Sequence, residues 1–193
     1  MIYIAYNRLG SPGMSVQASS VEDRLLKLQL RLAQLEKQES CRENFLDFVG
    51  TMWPDFISGR HHRIIAEKLE RVARGELKRL IINMAPRHTK SEFASFLFPA
   101  WMMGKNPSMK IIQATHTTEL AVNFGRKTKN LIDSDEFKTV FPEVKLAADS
   151  KASGRWDTSR GGMYYAVGVG SNLAGRGGDL VIIDDPHSEQ TAM

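Results

Sequence analysis

Two short strings constrain the fold more than any others. Residues 84–91 read MAPRHTKS and continue the apolar run LIINM at 80–84, while residues 180–185 read LVIIDD. The first string predicts a buried strand, a loop, and then Lys90-Ser91 opening a helix. The second predicts a buried strand whose C-terminal end carries two carboxylates, Asp184 and Asp185. Helix N-termini present free backbone N–H groups and the positive end of the dipole, which favours an anion. Open α/β sheets bind ligands at the C-terminal ends of their strands. A phosphate cradle facing an acidic strand end is the arrangement needed for phosphoryl transfer to water. It takes a lysine for the β- and γ-phosphates and a hydroxyl for Mg²⁺.

The match to the glycine-rich loop G-x-x-x-x-G-K-[ST] is imperfect. Met84 and Thr89 stand where glycine is usual, and a Cβ at Thr89 restricts the backbone because only glycine enters positive φ freely. The alternative for the first string is an ordinary strand-to-helix turn. For a single acid after a strand it is a helix N-cap.

The remaining pattern fits strands alternating with helices, and hence a mostly parallel sheet covered on both sides. Helical spacing runs from Arg42 to Arg74, with Phe45, Phe48 and Val49 on one face and Ile64, Ile65 and Leu69 on another. Trp53-Pro54 and Ser58-Gly59 break it. A helix is expected over 91–103, a strand over 109–114, a helix over 119–132, and strands over 162–169 and 180–183. Residues 1–40 are expected to be a flexible lead-in followed by a leucine-striped helix that Ser20 caps. Leu25, Leu28, Leu32 and Leu35 recur there at heptad-like spacing. That stripe packs on its own domain or docks a partner subunit. Residues 41–193 form the second domain.

Composition narrows the class. A formal charge of +4 is compatible with a polyanionic partner. The single cysteine, Cys41, rules out an internal disulfide and argues against a structural zinc site. No signal peptide is expected from the first residues. No apolar run is long enough for a transmembrane helix.

The string RLIINMAPRHTKSEFASFLFPAWMMGKNPSMKIIQATHTTELA, with GRGGDLVIIDDPH later, resembles the large terminase subunit of tailed bacteriophages over roughly residues 45–187. In that family the phosphate loop often reads P-R-x-x-K-S, as Pro86 to Ser91 do here, and one branch ends its acidic strand in Asp-Asp-Pro. The resemblance implies a three-layer P-loop ATPase of the additional-strand class that packages double-stranded DNA into proheads. Pro86, Arg87, His88, Thr89, Lys90 and Ser91 would bind ATP. Lys90 would contact the β/γ-phosphates, Ser91 and Asp184 would hold Mg²⁺, and Arg87 would sense or stabilise the γ-phosphate. Asp185 stands where many relatives carry a catalytic glutamate and would polarise the attacking water, with Glu189 the next candidate. Trp53 and His62 lie about where such motors recognise adenine, and the alternative is packing in the core for Trp53 and a surface position for His62. Partners would be DNA, a portal protein, a small terminase subunit and further copies in a ring, in the host cytoplasm during virion assembly, with no membrane.

Two further stretches carry weaker expectations. Thr115 and Thr117 fall in THTTELA, which resembles an element with which helicases touch a nucleic-acid backbone, or is an N-cap. Arg176 sits among Gly170, Gly175, Gly177 and Gly178 and could serve a neighbouring active site in trans. In the resembled fold one more strand follows the acidic strand in chain order and inserts between it and 80–84. The polar residues 186–193 cannot form it. The chain is therefore expected to be an N-terminal portion of the motor whose two facing strand edges lack backbone partners. A nucleotide- or partner-binding fragment, and a helicase-like ATPase, are the other functional readings.

Overall fold

The computed structural model describes residues 14–150, 152–171 and 175–187, with side chains from residue 20. The lead-in before residue 14 and Glu189 lie outside the described residues. The fold is α/β: a four-stranded, mostly parallel open sheet with helices packed against it.

Strand β1 (Lys110–Thr115) is central. It pairs in parallel with β3 (Met163–Gly168) on one side and β4 (Leu180–Asp184) on the other, and β2 (Arg155–Asp157) joins β3 antiparallel. The spatial order is β2-β3-β1-β4. Each parallel strand is a short run rich in β-branched or aromatic residues, as the pattern predicted. Their boundaries fall within a residue of expectation. β2 was not predicted: three residues carry too little periodicity to be read.

Most core residues lie on one sheet face. Tyr164 and Ala166 of β3 and Ile111 of β1 are buried there, with Leu180 and Ile182 of β4 packed alongside. Helix α5 (Thr118–Asp133) covers this face through Ala121, Phe124, Gly125, Thr128 and Ile132. Trp156 stacks on Tyr164 with centroids 5.0 Å apart and donates its indole N–H to the Gly125 carbonyl at 3.1 Å. Below lie α2 (Phe45–Met52), α3 (Arg60–Ala73), α4 (Phe98–Lys105) and α6 (Asp135–Val140). Phe45 is the hub, with ring centroids 5.3–5.7 Å from Phe93, Phe98 and Trp101. Ile65 and Leu69 turn inward as expected, whereas Ile64 remains half exposed.

The opposite face holds only a small cluster of Ile112, Ala114 and Val167, with Tyr165 beside it. A third layer of helix was expected there. Instead the described residues of the β3–β4 connection place Gly178 against the Ile112 side chain and Arg176 over the Tyr165 ring. Four glycines in so short a connection disfavour a crossover helix.

The segment 80–84 departs most from expectation. It forms no strand. Leu80, Ile82 and Met84 pack on the core while Ile81 is exposed, so the alternation of a strand is present without a ladder. β4 pairs only with β1 among the described residues, and its Val181 and Ile183 are exposed.

Helix α1 (Met14–Glu43) begins before Ser20, so Ser20 lies inside it rather than at its cap. The chain divides into two compact units, Met1–Lys37 and Gln38–Met193. No described helix is long and apolar enough to cross a membrane.

Candidate functional site

The loop after residue 84 and the end of β4 meet. Lys90 Nζ lies 2.6 Å from Asp185 Oδ1 and 3.5 Å from Asp184 Oδ1. The expected lysine and both expected acids are thus brought together across the sheet's C-terminal edge. An open cleft of about 540 Å³ lies over them, lined by residues 83–92 and Asp185. Its size is in the range of small-molecule sites.

Asp184 is buried, and its second oxygen accepts from Ser95 Oγ at 2.9 Å. Ser95 was not singled out from sequence, although it sits one helical turn after Ser91 and therefore on the same face. It holds the carboxylate in one orientation, leaving Oδ1 towards Lys90. Asp185 is mostly exposed and adopts φ 41°, which swings its side chain towards Lys90, while its carbonyl accepts from the His116 N–H at 3.2 Å. The Lys90 ammonium is raised above its ordinary value, first by its hydrogen bond to Asp185 and further by the charge of Asp184, against the opposing effect of burial.

Glycine's absence from the loop is made good by side chains. Arg87 and Thr89 adopt φ 63° and 61°, each a costly angle for a residue with a Cβ. His62 accepts the Gly59 N–H at Nδ1 (2.9 Å), so its proton sits on Nε2, which reaches Thr89 Oγ1 at 2.7 Å. Thr89 in turn donates to the His88 carbonyl at 2.6 Å, and His88 Nδ1 donates to the Pro86 carbonyl at 2.9 Å. His62 is buried against the Phe93 and Phe56 rings. Burial, and secondarily His61, lowers its pKa and keeps it neutral.

After the loop, Lys90 and Ser91 begin a helix as expected, but Glu92–Leu97 is π-helical before α4. Pro99 is the physical cause: it has no N–H to return to the Ser95 carbonyl. The widened turn places Ser95 inward.

The remaining candidates fall elsewhere. Trp53 packs on Phe56 (5.5 Å) at the edge of the core and does not line the cleft. His62 reaches the loop as a brace for Thr89. Thr115 is wholly buried with its hydroxyl on the Thr117 carbonyl, and Thr117 caps α5 by accepting from the Leu120 N–H. So placed, Thr115 presents no surface to a DNA backbone, because its strand is central. Arg176 stacks over the Tyr165 ring at 4.2 Å. The Arg87 side chain is exposed at the cleft.

These residues suit a nucleotide triphosphate with Mg²⁺. Two carboxylates and the half-buried Ser91 stand beside a lysine at a helix start. No cluster of three metal-binding side chains occurs among the described residues. Mg²⁺ held through phosphates and water needs only one or two carboxylates. Comparison of the chain with protein-family models, curated proteins and solved structures finds no match.

Proposed function

We propose that this chain is the ATP-binding and hydrolysing portion of a motor of the terminase large-subunit kind, which drives double-stranded DNA into a prohead. The observation that carries the reading is the convergence of Lys90 and Asp185 at one cleft, with the buried Asp184 3.5 Å from the same ammonium, from strings far apart in sequence. In this reading Lys90 leaves its carboxylate partner to grip the β- and γ-phosphates, with N–H groups of the 85–91 loop around them. Arg87, permanently charged and exposed, contacts the γ-phosphate with its fork. Ser91 and Asp184 hold Mg²⁺, which supplies charge neutralisation at the phosphates when bound. Ser95 keeps Asp184 aimed. Asp185 orients a water whose oxygen attacks the γ-phosphorus. The bond to the β–γ bridging oxygen breaks, and the water's proton passes to the carboxylate.

A second reading has specific support: a nucleotide-binding piece without turnover. Segment 80–84 makes no ladder with β4, so the loop and the acids are joined by side chains alone. Asp184→Asn and Asp185→Asn separate the roles. Asp184→Asn should weaken Mg²⁺-dependent ATP binding about tenfold or more, the loss of one charged contact. Asp185→Asn should spare binding and, in a complete motor, remove turnover. Unchanged Mg²⁺ dependence in Asp184→Asn by calorimetry would overturn the metal assignment, and normal turnover in Asp185→Asn would move the base elsewhere.

A further inference from the structure

Helix α1 carries an apolar stripe in water. Val21, Leu25, Leu28, Leu32 and Leu35 are 45–68% exposed. Their spacing alternates four and three residues, which places Leu25 and Leu32 at heptad position a and Val21, Leu28 and Leu35 at d. A lone helix of this length is marginal in water and gains most of its stability by burying such a stripe. Residues up to Lys37 group as a compact unit of their own.

The charges flanking the stripe say what covers it. The g positions are Arg24 and Arg31, and the e positions are Glu22, Gln29 and Glu36. In a parallel pair of identical helices, each g residue faces the e residue five positions on in its partner. Arg31 then meets Glu36 of a second copy twice, by symmetry, and Arg24 meets neutral Gln29. An antiparallel pair sets g against g and e against e, putting arginine on arginine and glutamate on glutamate. Such flanking pairs set partner choice and orientation in coiled coils. We propose that α1 pairs with α1 of a second copy of this chain as a parallel, in-register coiled coil over residues 21–35. The stripe ends where Glu39 and Arg42 take the next a and d positions. Arg42 there is committed to the Val140 carbonyl at 2.7 Å. This inference does not rest on the phosphate reading, since none of its residues touches the cleft.

Sedimentation equilibrium on the full chain tests it. Arg31→Glu should weaken self-association about three- to tenfold, and Arg31→Glu/Glu36→Arg should restore it to within about twofold. Leu28→Lys buries a charge in the seam and should weaken association about a hundredfold or more. Mild oxidation of Leu28→Cys, with Cys41→Ala to remove the native thiol, should give a covalent dimer. Leu30→Cys at position f, opposite the seam, should not. Strengthening by Arg31→Glu alone would mean an antiparallel pair. Equal cross-linking at 28 and 30, or none at 28, would overturn the proposal. So would a monomeric wild-type chain, which would leave the stripe to a different partner, and so would association indifferent to every substitution, which would assign it to the β4 edge.

Discussion

Thr89 holds a backbone angle that glycine adopts without cost, and its side chain is the reason the chain tolerates this. A non-glycine residue at positive φ costs on the order of 1–3 kcal/mol, and a hydrogen bond in a protected site returns about 1 kcal/mol. Thr89 makes two through one hydroxyl, to His62 and His88. The missing glycine was legible in the sequence as a weakness of the motif. Its compensation was not, because His62 lies 27 positions away and only the fold brings it near. His62 read as an adenine contact for the same reason: its position was visible but its neighbours were not. The brace has a pH dependence. The folded-state pKa of His62 is lowered, so the unfolded chain takes up the proton first. The stability His62 contributes is therefore present above its unfolded value near 6.5 and is lost as pH falls through the folded value. Protonation also removes the Nδ1 acceptor for the Gly59 N–H. Urea unfolding at pH 7.5 and 5.5 should show a smaller loss of stability for His62→Gln than for wild type. Equal losses would mean that His62 does not titrate against the loop.

Among the elements, those built on long apolar periodicity were legible: β1, β3, β4, α5 and the α2–α3 pair all form close to where the pattern put them. Those that depend on a partner were not. Segment 80–84 has the composition of a buried strand, yet a strand is defined by its neighbour. The π-helical turn was hidden because Pro99 acts on the carbonyl four residues earlier, so its effect falls in the middle of an otherwise ordinary helix. Close approach of elements is likewise invisible in sequence. At Gly125 of α5, an added Cβ would lie 2.5 Å from the Ser153 carbonyl oxygen and 3.1 Å from the Tyr164 ring. Alanine gains about 1 kcal/mol in helix propensity, but overpacking against backbone costs about 1–3 kcal/mol. It also strains the Trp156 bond to the Gly125 carbonyl. Gly125→Ala should therefore destabilise the chain by about 1–2 kcal/mol, read as a lower midpoint in thermal unfolding. A raised midpoint would show that the α5–β3 contact gives way freely.

At the scale of the whole molecule, one sheet face is covered by helices and carries nearly all the core, while on the other the described residues place a small cluster beside Gly178 and Arg176. β4 pairs on one side, with β1, and segment 80–84 forms no ladder among the described residues. Ile81, Val181 and Ile183 are 93%, 55% and 63% exposed. Unpaired apolar edges of this kind favour association. Side chains join the two halves of the candidate site: the Lys90–Asp185 and Lys90–Asp184 contacts, with Ser95 fixing Asp184. The two motifs were legible as neighbours because both are tied to element ends, which apolar runs define well, and the fold brings Lys90 to Asp184 and Asp185. The central claim is that Lys90 at this cleft binds nucleotide phosphates, and calorimetric titration of Mg-ATP into the wild-type chain and Lys90→Ala tests it most directly. Wild type should bind, and Lys90→Ala, with its far-UV circular dichroism unchanged, should lose about a hundredfold in affinity, the worth of a charge-assisted phosphate contact of ~3 kcal/mol. Equal affinity in the two proteins, or no binding to wild type, would contradict the assignment of this loop.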